Sequence, residues 1–172
     1  MAEVIFRFLR PNSLIGHLIT WRLGEPWSHV SIIIDDAAYS AQLPWVAMLP
    51  ITDKSVAMPP RNGYDVILHL NDHDTEKLKQ WCENKVGTMY DILSIFGWIL
   101  GWDWLQSKKN SYCFEYCFQA LVYMGWLKPD DDLIKGNKLI EDIESLINSP
   151  NINLPCDATI CKHYNIEKEI TQ

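Results

Sequence analysis

The run Asn110-Ser-Tyr-Cys-Phe-Glu-Tyr-Cys-Phe-Gln-Ala-Leu121 sets two cysteines four residues apart among aromatic and apolar side chains. Thiols so placed have three ordinary uses: packing, metal ligation and nucleophilic attack. Cys113, Cys117, Ala120 and Met124 fall on one stripe at helical spacing, which suits a core, because free cysteine is among the most buried residue types. A structural zinc needs about four ligands, and only Cys156 and Cys161 stand by as extras, so neither a metal nor another cofactor is expected. Asn110 and Ser111 are both good N-cap residues, which puts Cys113 in the first turn of its helix. Unpaired backbone N–H groups and the positive end of the helix dipole favour thiolate there. Cys117 lies a turn further in, where those donors are already bonded. If either thiol is activated, it is Cys113.

A nucleophile of this kind needs a base. His17 sits on a helix opposite its apolar stripe, His73 lies among Asn and Asp in a turn, and His163 lies in the tail. His69 ends a strand and stays open. His29 differs from them because it opens the apolar run Ser28-His-Val-Ser-Ile-Ile-Ile34, where a polar ring is out of place without a task. A histidine at a strand start also has ordinary structural uses, so spacing leaves both readings standing.

The elements that must hold these residues read as α+β. Val4 to Leu9 alternates as a first strand. Ser13 can cap a helix over Leu14 to Leu23, with Leu14, Leu18 and Trp21 on one face. Gly24-Glu-Pro26 stops it. The His29 strand follows, then a turn at Asp35-Asp-Ala-Ala38 and a hairpin partner over Tyr39 to Leu43. Residues 44 to 62 hold four prolines and read as loop or edge, and Tyr64 to Leu70 as another strand. A helix opens at Asn71 or Asp72 and ends near Gly87. The apolar stretch Ile92 to Leu105 precedes the cysteine helix, which Gly125 stops. Lys138 to Ile147 reads as a short helix and the last twenty residues as a weakly structured tail.

At 172 residues with 48% apolar composition, the chain can bury a core as one domain without staples. Its net charge of -7 and lack of a basic stripe argue against nucleic acid as a partner. Five cysteines without regular spacing suit a reduced compartment. The first ten residues lack a basic stretch followed by an apolar one, so they read as a strand rather than a signal peptide. Ile92 to Leu105 falls short of the roughly 20 residues that span a bilayer, so no stable membrane insertion is expected.

Taken together, these pieces resemble the permuted branch of the NlpC/P60 superfamily of papain-like cysteine hydrolases, the YiiX/YaeF-like amidase group. In that branch the histidine strand precedes the cysteine helix. The likeness rests on Leu18 to Ile34 with its Ser28-His29 strand, on Tyr39-Ser-Ala-Gln-Leu-Pro-Trp-Val-Ala-Met-Leu-Pro50, on Gly87-Thr-Met-Tyr-Asp91 and on Cys113-Phe-Glu-Tyr-Cys-Phe-Gln-Ala-Leu121. It implies a papain-like catalytic domain over residues 1-127, with 128-172 as a C-terminal extension packed on it. It also implies Cys113 as nucleophile and His29 as base, with an amide bond, as in cell-wall peptide, as substrate. The family's acidic third residue falls on Ser40. Strand parity puts Ser40 and Gln42 on one face, so either could accept from the ring. The neutral partner also leaves room for a non-enzymatic binding module that keeps the fold. Trp98, Trp102 and Tyr112 are the expected substrate contacts, as an apolar wall that would also suit a lipid acyl group. A cytoplasmic chain of this kind would reach a cell wall by lysis, in a phage particle or through a dedicated export route.

Overall fold

The computed structural model describes residues 2–42, 44–51, 63–89, 113–129, 134–147 and 160–164. Its strands are β1 (Ala2–Leu9), β2 (His29–Ile34), β3 (Ala37–Ala41), β4 (Val46–Pro50), β5 (Gly63–Leu70) and β6 (Ile160–Tyr164). Its helices are α1 (Leu14–Leu23), α2 (Asp72–Lys85), α3 (Cys113–Tyr123) and α4 (Gly136–Ile147). The strands form one six-stranded sheet in the order β4-β3-β2-β1-β5-β6, and every pairing is antiparallel.

Alternation along the strands divides the side chains between two faces. Val4, Phe6 and Phe8 of β1, Val30, Ile32 and Ile34 of β2, and Val66, Leu68 and Leu70 of β5 join α2, α3 and α4 in one large core. Burying each such side chain contributes roughly 1.5–3 kcal/mol. The opposite face holds a smaller cluster of Leu9, Ile33 and Ala38. β1 runs centrally between β2 and β5, so its register fixes theirs.

Local chemistry sets the element ends. Ser13 caps α1 by accepting from the Gly16 N–H at 3.1 Å, and Gly24 closes it in the left-handed region at φ 70°. Asn71 caps α2 through the Asp74 N–H at 2.8 Å. Between β2 and β3 the turn is tighter than the sequence suggests. Asp35 and Asp36 take positive φ values of 50° and 62°, as a two-residue type I′ hairpin requires. Ala37 and Ala38 therefore belong to β3, which ends at Ala41 and not Leu43.

Two further expectations are corrected. Leu14, Leu18 and Trp21 do not face the core: they are exposed, and Gly16 and Leu23 are the buried residues of α1. Its polar residues His17, Thr20 and Arg22 are spread around the helix, so its periodicity did not distinguish inside from outside. The C-terminal tail is not wholly unstructured either, because β6 pairs along β5 from Gly63↔Tyr164 to Ile67↔Ile160. His163 accordingly lies in a strand, and His73 lies in the first turn of α2.

Residues beyond 127 share the main core. Ile134, Leu139, Ile140, Ile143 and Leu146 are all buried in it. The Trp27 indole N–H donates to Asn137 Oδ1 at 2.9 Å. A Cβ on Gly136 would meet Trp27 Cδ1 at 2.9 Å and Phe114 Cε1 at 3.1 Å, so only glycine lets α4 start so close. This junction braces both the approach to His29 and the start of α3.

Candidate active site

β2 begins where β1 ends. Leu9 pairs with His29, and Ser28 ties its backbone N–H to the Leu9 carbonyl at 3.0 Å. The Ser28 hydroxyl donates to the same oxygen at 3.3 Å. These bonds fix the backbone on which the His29 ring stands. α3 starts beside this point, and Cys113 Sγ makes a long contact of 4.0 Å to the Ser28 carbonyl oxygen. The cysteine sulfur thus lies at the peptide that joins Ser28 to His29.

His29, Ser31, Ser40 and Gln42 share the sheet face opposite the one that α3 covers, and all four are buried. His29 is the first residue of β2, the strand end at which the Cys113 sulfur meets the Ser28 carbonyl. His29 Nε2 lies 2.6 Å from Ser40 Oγ, and the Ser31 hydroxyl donates to Ser40 Oγ at 3.2 Å. With Nε2 facing Ser40, Nδ1 is the nitrogen on the ring's other side. A tautomer with its proton on Nε2 would donate to Ser40 and leave Nδ1 basic.

Of the two expected orienting residues, Ser40 faces the ring and Gln42 does not bond to it. The Gln42 amide nitrogen is buried and finds no acceptor among the described residues. Trp98, Trp102 and Tyr112, together with the Ile92 to Leu105 segment, lie outside the described residues. Glu115, the acidic residue of the cysteine motif, accepts from Gln119 at 3.1 Å. Burial raises its pKa above the usual carboxylate value.

Burial shifts the thiols of Cys117 and Cys82 upward. Cys117 is fully buried, against 4% exposure for Cys113. Burial pushes its thiol well above the ordinary value, and the sulfurs of Cys113 and Cys82 add to the effect. Cys82 of α2 is pushed up by burial to about 12. Among the described residues no group of three His, Cys, Asp or Glu side chains is arranged to hold a metal ion.

One feature escaped sequence reasoning. Asp65, Arg7 and Ser31 stand side by side on β5, β1 and β2, and Ser31 continues the row to Ser40. Arg7 grips Asp65 with two donors, Nε to Oδ1 at 3.0 Å and Nη2 to Oδ2 at 2.9 Å. The row fixes the face that carries the histidine. Lone charges inside apolar strands were the available signal, because such a charge needs a partner across the sheet.

Comparison with known protein families, curated proteins and solved structures finds no match to this chain. No helix among the described residues is long and apolar enough to cross a membrane.

Proposed function

We propose that the chain is a cysteine hydrolase of the amidase or peptidase type, a permuted NlpC/P60-like papain fold, with Cys113 as nucleophile, His29 as base and Ser40 as the residue that orients the ring. The carrying observation is the 2.6 Å contact of His29 Nε2 with Ser40, with the Cys113 sulfur at the adjoining Ser28 carbonyl.

In this reading the imidazole takes the thiol proton and the sulfur bonds to the substrate carbonyl carbon. Charge moves to the carbonyl oxygen. Helix starts in general direct backbone N–H groups along the axis, and in this reading the start of α3 is the donor to it. In this reading the Gln42 amide is a further donor, since its nitrogen is buried with no acceptor among the described residues. Imidazolium then gives its proton to the leaving amine, and a thioester remains. Water, deprotonated by the same ring, attacks the thioester and releases the acid and the thiol. Ser40 accepts from Nε2–H throughout. A hydroxyl stabilises imidazolium less than a carboxylate does, so turnover is expected to be slow.

The test is to incubate the full chain with a panel of peptide amides and acyl esters and look by mass spectrometry for an acyl adduct on Cys113. An adduct on Cys113 that is lost in Cys113→Ala supports the reading. Turnover that survives Cys113→Ala contradicts it. A second reading, acyl-lipid hydrolysis or transfer by the same steps, is favoured by the exposed apolar face of α1.

A further inference from the structure

We infer that Ser31 is a positioning residue: it accepts the Ser40 hydroxyl proton, and so allows Ser40 to hold the His29 ring through its Nε2–H. Ser31 interrupts the apolar run of β2, and both serines are fully buried. A hydroxyl in such a place costs stability unless it is bonded. The paired residues of β2 and β3 run from Ile34↔Ala37 to Ile32↔Tyr39, so Ser31 and Ser40 stand across from each other one step further on. Their oxygens lie 3.2 Å apart, and His29 Nε2 lies 2.6 Å from Ser40 Oγ.

The Ser40 side chain has one proton to place and, among the described residues, these two polar neighbours. A hydroxyl turns to suit its surroundings, so the row can run in either direction. In one, Ser31 donates to Ser40 and Ser40 donates to Nε2, which puts the ring proton on Nδ1. In the other, Nε2–H donates to Ser40 and Ser40 donates to Ser31, which leaves Nδ1 basic. If Ser40 accepted from both, its own proton would be stranded in the core, a cost that buried donors rarely bear. Ser31 therefore decides whether Ser40 can accept from the ring. No proton crosses between the hydroxyls; their O–H bonds turn together. Arg7 and Asp65 face the row from β1 and β5 as a bonded pair. Cys113 is the titratable group that α3 brings to this strand end, and Tyr39 of β3 belongs to the opposite core.

The inference rests on the proposed reaction for its purpose, because that reaction needs Nδ1 free to take the thiol proton. With Ser31 as acceptor, the ring keeps Nε2–H on Ser40 while Nδ1 receives and releases protons.

The test reads the ring directly, by nitrogen NMR of the full chain, which separates the two neutral tautomers without any substrate. His29→Gln identifies the signal. The wild type should hold a measurable Nε2–H form. Ser31→Ala should lower the ratio of Nε2–H to Nδ1–H at least about tenfold, because the Ser40 proton is then left with Nε2 as its acceptor. In a Ser40→Ala background the same change should move the ratio less than about twofold, since Ser31 acts through Ser40. A purely structural serine would act alike in both backgrounds. Alanine is smaller than serine, so neither substitution crowds the core, and unfolding midpoints would show that each variant folds. A ratio that Ser31→Ala leaves unchanged, or moves equally in both backgrounds, would overturn the inference. The expected shift in a chain that forms no acyl adduct on Cys113 would uphold the role of Ser31 and reject the hydrolase reading, so the two fail separately.

Discussion

The first turn of α3 and the turn that follows it carry the same side chain in opposite surroundings. Cys113 stands at the helix start, against the carbonyl that precedes His29. Cys117 stands one turn on, fully enclosed and with its thiol driven upward by burial. The stripe Cys113, Cys117, Ala120 and Met124 is buried along its whole length, so packing alone does not separate the two. Position along the helix does. A thiol in a first turn lies at the positive end of the helix dipole, whereas one turn later that influence has fallen off.

The sharpest way to break this comparison is to swap the roles. Cys113→Ala should reduce turnover by about 10⁴-fold or more, as loss of a nucleophile does, with an unchanged unfolding midpoint. Cys117→Ser should do the reverse. It sets a hydroxyl in a fully buried site, at a cost of about 1–3 kcal/mol in stability by urea titration, and leaves turnover nearly intact. Finding both effects on one cysteine would end the distinction. His29→Ala comes next, with an expected loss of about 10²–10⁴-fold in kcat. An unchanged pH–rate profile in that variant would remove the ring from the reaction.

Ser40 and Gln42 sharpen the comparison on the opposite face of the sheet. Replacing an oxyanion donor costs about 10²–10³-fold, so Gln42→Leu should lower kcat by that order at little change in KM. Ser40→Ala removes one neutral hydrogen bond of about 0.5–1.5 kcal/mol, so its loss should be near tenfold. A larger effect from Ser40 than from Gln42 would reverse the two roles assigned here.

The smallest effect concerns the buried thiol of α2. Its folded pKa of about 12 lies above its ordinary 9.0, so the unfolded chain releases this proton first as pH rises. The unfolded state then binds fewer protons, and stability falls with pH. Stability should be intact below about pH 9 and decline toward pH 12, by about 1.4 kcal/mol per pH unit for this group alone. Cys82→Ala should flatten that decline in urea midpoints measured at rising pH. An equal slope in the variant would place the linkage elsewhere.

Much of this arrangement is legible in the chain, for physical reasons that also explain where legibility stops. β1, α1 and β2 can be read because alternation, a serine cap and a glycine stop are local signals. The parity of Ser40 and Gln42 is local too, but which of them meets His29 depends on sheet twist and on the tight Asp35–Asp36 turn. Two aspartates at positive φ are uncommon, and that shifted β3 by two residues. The outer face of α1 misleads because polar residues spread around the helix leave little contrast to read. β6 and the Arg7–Asp65 pair depend on strands joined across long stretches of chain, so no window of sequence contains them.

The central claim, that Cys113 is activated by its place beside His29 while Cys117 is inert, is tested most directly by competitive iodoacetamide labelling. The native full chain would be alkylated near neutral pH and each cysteine followed by mass spectrometry, in the wild type and in His29→Ala. The account predicts that Cys113 reacts at least about tenfold faster than Cys117 and Cys82, and that His29→Ala erases this lead. Cys117 reacting as fast as Cys113, or a Cys113 rate indifferent to His29, would contradict it.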